Sequence, residues 1–396
     1  MRKDAALLSI LCILIILFSI SLFKNIAYPL LWNDETETVI FADRVMKFGY
    51  PKAWDGKNMI NMMGFPCHDA VDPGTGAWLG TMWAPFYFSV FGNILADKAG
   101  DIYLKTALVR IPFAAAGMAG LAVMALAVSA YVGGGRRRIM FFMLFTAFES
   151  ISIFLILHLR DARYYSLVIL LSAAIFYLHI DRCLRRRIST GLYMASMFAA
   201  LFILFNTFIP AFFSVAAAMC VHEFFRFAKH RSIKDSALSM APVFVSLAAA
   251  APLLFFFRTF HFAAESAEFF RTGPAVYIRN IRSALGYFRV YEYFYLALAI
   301  KLFLAWALFY TRNGGCHADG KRPPDRSALL SASNFFTIFF VIYFFTITRM
   351  PILYIFVRYF IVLQPVLVLI MLIDAFLVYG LLGRDKAPAA GRMRRI

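Results

Sequence analysis

Residues 5–23 read AALLSILCILIILFSISLF and residues 30–36 read LLWNDET. Together these two stretches decide the class of the protein. The first carries no charge and is long enough to cross a bilayer, at about 20 apolar residues per span. The second sets Asp34 and Glu35 beside Trp32, at the depth where Trp and Tyr mark a membrane interface. Two carboxylates there can meet a substrate whose reactive head lies at the membrane surface. They equally suit a helix N-terminus, with Asn33 as its cap and the macrodipole favouring negative charge. Both readings stay open at this point.

Composition extends the membrane reading to the whole chain. The 396 residues are 62% hydrophobic, with 45 Phe, 19 Tyr and only 16% charged residues, and the mean hydropathy is +0.72. A soluble domain carries about a quarter charged residues. The expected fold class is therefore an all-α polytopic membrane protein.

The formal net charge of +18 raises the question of nucleic acid, and the placement of the basic residues argues against it. They gather at Arg2-Lys3, Arg136 to Arg138, Arg182 with Arg185 to Arg187, Arg226 to Lys234, Lys321 to Arg326 and Arg384 to Arg395. Each cluster ends an apolar run, and clusters recur after every second run. This is the positive-inside pattern, and it places those ends and both termini in the cytoplasm. The first span lacks a small-residue cleavage site and runs on into the Trp32 segment, so it does not read as a cleaved signal peptide.

Cys12, Cys67, Cys183, Cys220 and Cys316 are scattered, and only Cys67 falls in an expected outer loop, so no disulfide is expected. No CxxC, HExxH, P-loop or GxGxxG motif is present, which leaves no sign of a redox, zinc-protease or nucleotide-hydrolysing site.

Spans consistent with the charge pattern cover residues 5–23, 105–131, 139–158, 164–181, 189–207, 211–228, 236–257, 291–310, 328–347 and 355–381, about ten in number. Residues 1–396 then form a single transmembrane domain with two long outer segments. In the first, residues 24–104, a helix runs from Asp34 to Phe48 and stops at Gly49 before Pro51. Val39, Ala42, Val45 and Met46 share a face of it, which suits a helix lying on the membrane surface. A second interfacial helix is expected from Trp78 to Phe91, interrupted by Pro85. The second outer segment, residues 258–290, carries Arg258, Arg271, Arg279, Arg282 and Arg289.

Arginine outside the membrane runs against the topological bias. Arg160, Arg163, Arg349 and Arg358 add to the set, all near outer helix ends. Guanidinium groups bind phosphate bidentately, so a ring of them suits a phosphate attached to a membrane-embedded lipid. Singly, each could instead contact a phospholipid headgroup or pair with Asp161, Glu265, Glu268 or Glu292. As a collection opposite a carboxylate pair, they favour an anionic lipid substrate. Glu149 lies mid-span and is a functional candidate on that ground, with a hydrogen-bonded structural acid as the alternative. His68, Asp69 and Asp72 could ligate a divalent cation, although a solvated loop fits their spacing better.

The order of these features resembles the lipid-dependent glycosyltransferases of the GT-C superfamily. The branch with protein O-mannosyltransferases, aminoarabinose transferases of lipid A and galacturonosyltransferases of lipopolysaccharide is the nearest. Trp32-Asn33-Asp34-Glu35 with Ala42 and Gly49-Tyr50-Pro51 is similar to that family's acidic opening. Leu108-Val109-Arg110-Ile111-Pro112 looks like its Arg-x-Pro start of the second span. Arg160-Asp161-Ala162-Arg163-Tyr164-Tyr165 looks like the arginine-aromatic start of the fourth, and Val357-Arg358-Tyr359-Phe360 with Gln364-Pro365 like the late Arg-Tyr motif. The chain departs from the pattern at Asp72-Pro73-Gly74-Thr75-Gly76, where the family shows a Pro-Pro-aromatic sequence. This bears on the acceptor more than on the reaction.

The resemblance implies transfer of a sugar from a polyprenyl phosphate to a hydroxyl of a lipid, glycan or protein acceptor. The reaction would take place on the extracytoplasmic face of a plasma membrane, such as the bacterial inner membrane. Asp34 would take or orient the hydroxyl proton, and Glu35, about 100° away around the helix, would fix the loop or a sugar hydroxyl. Arg163 and Arg358 would stabilise the departing phosphate. Arg160, Tyr164, Tyr359, His68 and Asp69 complete the expected substrate contacts. No nucleotide is released, so no metal or other cofactor is required, and a divalent cation remains an option. The competing reading is a transporter or flippase of a lipid-linked saccharide, which inverted repeats and mid-membrane charges would favour. Neither stands out in the sequence.

Overall fold

In lipid, a backbone must satisfy its own hydrogen bonds, and helices do this within one segment. The computed structural model describes residues 2–57, 59–60, 70–269, 273–313, 324–350 and 355–382. Among them there is no strand, and fifteen α-helices carry the fold. They are α1 (Arg2–Phe23), α2 (Asn33–Phe48), α3 (Ala84–Ala96), α4 (Ile102–Ser129), α5 (Arg136–Ile151), α6 (Ile153–Leu159), α7 (Tyr165–Leu184) and α8 (Thr190–Phe205). The rest are α9 (Ile209–His230), α10 (Ile233–Phe256), α11 (Thr259–Phe269), α12 (Pro274–Tyr291), α13 (Phe294–Asn313), α14 (Pro324–Thr348) and α15 (Leu363–Leu382).

Seven of these helices are long and apolar enough to cross a membrane, or nine if each of two bent pairs counts as one span. The bends are sharp: α5 meets α6 at 82° and α12 meets α13 at 88°. The chain is a polytopic all-α membrane protein. Each of the ten expected runs is found as a helix or a bent pair. The 189–207 run forms the 16-residue α8, short for a span, and the final span starts at Leu363 rather than residue 355. Residues 258–290 are not an open loop, since they hold α11 and α12.

Lipid tails give helices no hydrophobic reason to associate, so close packing through small residues takes over. The α4 sequence AAAGMAGLA supplies such a face toward α7. A Cβ on Gly120 would sit 2.8 Å from the backbone of Leu170, and one on Gly92 of α3 would sit 2.8 Å from the backbone of Val109. Both contacts need glycine. At the other extreme, α15 is buried at every position from Leu363 to Asp374, with only Gln364 and Asp374 polar in that stretch, as expected of a central helix. α13 and α14 pack against it. The Phe176 ring of α7 meets Phe335, Phe336 and Phe339 of α14 at 4.8–5.5 Å.

At one end of the bundle, α2 and α3 fold over the helix ends. α2 stops at Gly49, whose φ of 81° lets its N–H reach the Val45 carbonyl at 2.8 Å. Its buried face holds Glu35, Thr38, Phe41, Ala42 and Val45, with Met46 turned outward. α2 thus packs one face on protein and leaves Ile40, Met46 and Phe48 exposed, and Phe41 stacks on Trp78 (5.3 Å) and meets Phe86 at a tilt (4.8 Å). Pro85 does not interrupt a helix begun at Trp78. It occupies the first turn of α3, where its missing N–H is no loss.

Candidate functional site

Asp34 and Glu35 open α2 side by side and face different partners. The Glu35 side chain is fully buried. Its Oε1 accepts from Arg110 Nε at 2.8 Å and its Oε2 from Arg110 Nη2 at 2.5 Å, a bidentate pair with the third turn of α4. The same carboxylate accepts from the Trp32 N–H (3.3 Å) and the Ala162 N–H (2.8 Å). Arg110 Nη1 also donates to the carbonyls of Ile26 (2.8 Å) and Pro29 (2.7 Å). This hub ties together the segment after α1, the start of α2, α4, and the turn between α6 and α7. Both Glu35 oxygens are thus taken by donors of the chain itself.

The hub sets the Ala162 turn, and that turn delivers Arg163 to Asp34. Arg163 Nη1 donates to the Asp34 carbonyl (3.0 Å) and to Glu37 Oε2 (3.3 Å), while its Nη2 lies 3.5 Å from Asp34 Oδ2. Arg358, in the 3-10 turn Val357–Phe360 before α15, donates through Nη2 to the same Asp34 Oδ2 at 2.9 Å. Its guanidinium lies over the rings of Trp32 (4.4 Å) and Phe356 (4.5 Å), where cation–π attraction holds it. Two arginines thus converge on one carboxylate oxygen. Asp34 keeps 18% exposure where Glu35 has none.

Glu37 completes the cluster and is the residue that sequence reading missed. The signal was present: Asp34, Glu37 and Thr38 stand at i, i+3 and i+4, one helix face. Burial raises the Glu37 carboxyl above its ordinary range, Arg163 pulls it back and Asp34 raises it again. Burial works against the Arg163 charge, but Glu37 and Asp34 more than offset this and raise its pKa. Glu37 Oε1, Arg163 Nε and Arg358 Nε are buried and make no hydrogen bond among the described residues. Buried polar atoms left in this condition cost about 1–3 kcal/mol each, a cost that a water or a bound polar group would relieve.

A cavity of about 320 Å³ adjoins the cluster, with Thr38, Arg163, Tyr164, Phe208, Met350 and Tyr359 in its lining. Its size is at the lower end of ligand cavities. Tyr164 stacks on Phe208 at 4.8 Å and Phe208 on Tyr359 at 6.3 Å, so three rings form one wall. Asp34 does not line the cavity itself. It sits behind Arg163.

The other expected contacts divide. Tyr164 and Tyr359 are in the cavity wall. Arg160 turns away, donating to the Lys24 carbonyl at 3.3 Å. His68 and Asp69 lie outside the described residues. Asp72 caps its own turn, accepting from the Thr75 N–H (2.8 Å) and hydroxyl (2.6 Å), and these bonds lower its pKa. Glu149 is buried where α5 breaks into α6, away from this cavity.

No protein-family model, curated protein or solved structure matches the chain.

Proposed function

We propose that the chain is a membrane glycosyltransferase. It moves a sugar from a polyprenyl-phosphate donor to a hydroxyl of a lipid, glycan or protein acceptor, on the extracytoplasmic face of a plasma membrane, with both termini in the cytoplasm. The observation that carries this reading is the convergence of Arg163 and Arg358 on Asp34 Oδ2 beside an aromatic-walled cavity. The resemblance of the Asp34, Arg110, Arg163 and Arg358 motifs to the GT-C superfamily supports it further.

The charges in the cluster balance, with Asp34 and Glu37 against Arg163 and Arg358. A donor phosphate competes for both guanidiniums, whose planar forks suit its oxygens. As the arginines turn to phosphate, Asp34 Oδ2 loses two donors and is left with a free lone pair for the acceptor hydroxyl. The acceptor hydroxyl oxygen then attacks the anomeric carbon, and its proton passes to Asp34. The bond from that carbon to the phosphate oxygen breaks, and polyprenyl phosphate leaves with one added negative charge. Arg163 and Arg358 stabilise this charge where it develops. The aromatic wall gives a flat apolar face for the sugar or for the first isoprene unit.

The test is turnover by purified protein in lipid nanodiscs, supplied with a panel of labelled polyprenyl-phosphate sugars. Acceptor-dependent release of polyprenyl phosphate is expected. A protein that binds the donors yet releases none from any acceptor class would refute the reading. The bends between α5 and α6 and between α12 and α13 favour a second reading, a flippase of a lipid-linked saccharide, because broken helices are common in transporters. Transbilayer movement of the intact donor without transfer would select it.

A further inference from the structure

At the end of α7 and α9 remote from Asp34, four side chains with metal-ligating atoms face one another. His179 and Cys183 stand one turn apart on α7, and His222 and Glu223 are neighbours on α9. One ligating atom from each lies within 4.8 Å of all the others. His179 Nε2 is 3.0 Å from His222 Nδ1 and 3.7 Å from Cys183 Sγ, and Cys183 Sγ is 3.0 Å from Glu223 Oε1. Zinc bonded at about 2.0–2.3 Å in a tetrahedron needs donor separations of roughly 3.3–3.8 Å. The His179–Cys183 pair already meets that range, the two 3.0 Å pairs must open by a few tenths of an ångström, and the wider pairs, up to 4.8 Å apart, must close by about an ångström.

We propose that this cluster is a structural zinc site that clips α7 to α9. Two imidazoles, one thiolate and one carboxylate are a borderline-soft donor set of the kind zinc takes. Four protein ligands close the tetrahedron and leave no open position for substrate. His179, His222 and Glu223 are buried, so the helices that hold them are fixed by packing before any metal arrives. On binding, the Cys183 thiol gives its proton to solvent, and the thiolate and the Glu223 carboxylate together balance the two charges of the ion.

Outer contacts of the kind that orient metal ligands are in place. His222 presents its other ring nitrogen, Nε2, to Ser331 Oγ at 3.0 Å, and Ser239 Oγ donates to Glu223 Oε1 at 2.9 Å. Arg226 Nε holds Glu223 Oε2 at 3.0 Å and its Nη1 reaches the Cys183 carbonyl at 3.3 Å. Such supports hold ligating imidazoles and carboxylates in one orientation. There is also a route for the ion: a cavity of about 320 Å³ has Cys183, Arg226 and Asp235 in its lining. Its positive charge is tempered, because Arg226 pairs with Glu223 and Arg186 with Asp235 at 2.7 Å.

The experiment uses full-length protein without a polyhistidine tag, freed of metal by chelation and titrated with Co²⁺ and then Zn²⁺. One Co²⁺ per chain is expected, with the intense visible bands of tetrahedral cobalt and a near-ultraviolet thiolate-to-cobalt band, both erased by Zn²⁺. Cys183→Ser should lose the thiolate band, and Cys12→Ser should keep it. Ser331→Ala should keep the spectrum and weaken binding by about 10–100-fold, the usual effect of an outer contact. Absence of stoichiometric uptake by the unaltered protein, or a thiolate band that survives in correctly assembled Cys183→Ser, overturns the site. The first of these measurements does not depend on any variant folding.

Discussion

Arg358 donates through Nη2 to Asp34 Oδ2 across 2.9 Å, linking positions 324 apart in the chain. The contact joins the first turn of α2 to the turn that precedes the central helix α15. Arg163 approaches the same oxygen from the start of α7. Three segments that share no local sequence therefore meet at one atom. The consequences of removing each partner can be stated separately.

Lysine at position 163 or 358 keeps the charge and loses the planar fork. An ammonium offers no second nitrogen to reach the Asp34 carboxylate while the first holds Glu37, as Arg163 does, nor can it lie flat over Trp32 as Arg358 does. Each variant is expected to raise the KM for a polyprenyl-phosphate donor at least tenfold while the protein still assembles. An unchanged KM in both would remove the arginines from the phosphate site.

The pair of Glu35 and Arg110 should behave differently, as structure. Removing one member leaves the other charged, buried and unpaired, which costs about 3–5 kcal/mol. Glu35→Gln and Arg110→Met are each expected to lower the thermal unfolding temperature strongly. The double variant should fall well short of the sum of the two, because it leaves no orphan charge. Additive losses in the double-mutant cycle would show that the two side chains act independently.

How far the sequence foretold this site depends on the range of the interactions. The helices were legible because an uninterrupted apolar run of span length has few alternatives in lipid. The end of α2 at Gly49 was legible because a left-handed C-terminal residue is a local signal. What joins Glu35 to Arg110 or Asp34 to Arg358 is tertiary, and no local pattern encodes it. Of the face expected for α2, Ala42 and Val45 are buried and Val39 half-buried, while Met46 is exposed and Glu35 is buried instead. Only its pairing with Arg110 makes a buried Glu35 tolerable. The spacing of His179 and Cys183, one helical turn, was visible, but its meaning needed α9 alongside.

Glu37 makes stability depend on pH in a direction opposite to that of a salt-bridged surface acid. Its folded pKa is raised, mainly by burial, against about 4.3 in an unfolded chain. The folded state therefore holds the proton more tightly, and stability falls as pH rises from the ordinary glutamate value through that of Glu37. Glu37→Gln should flatten this part of the profile, measured by thermal unfolding between mildly acidic and neutral pH. A profile identical to that of the unaltered protein would clear Glu37 of this role.

The proposed orientation places Lys57 outside and Arg137 in the cytoplasm. Both side chains are exposed, so each can report. On a background lacking the native cysteines, Lys57→Cys in intact cells should react with a membrane-impermeant maleimide. Arg137→Cys should react only after permeabilisation. Labelling of both positions from outside contradicts the orientation, and with it the side on which Asp34 meets substrate.

Asp34→Asn gives the sharpest test of the chemistry. The amide matches the carboxylate in size and can still accept from Arg163 and Arg358, but it carries no negative charge and almost no basicity. Proton abstraction by a positioned carboxylate contributes about 10²–10⁴-fold to rate, so sugar transfer should fall by that order. Donor binding should hold or tighten, because the two arginines no longer have a full negative charge to satisfy before they meet phosphate. A loss of kcat with an unchanged or lower KM is the signature of a base that also holds the phosphate site in reserve. Near-normal kcat in an assembled Asp34→Asn protein would remove Asp34 as the proton acceptor and leave the arginines as a binding site alone.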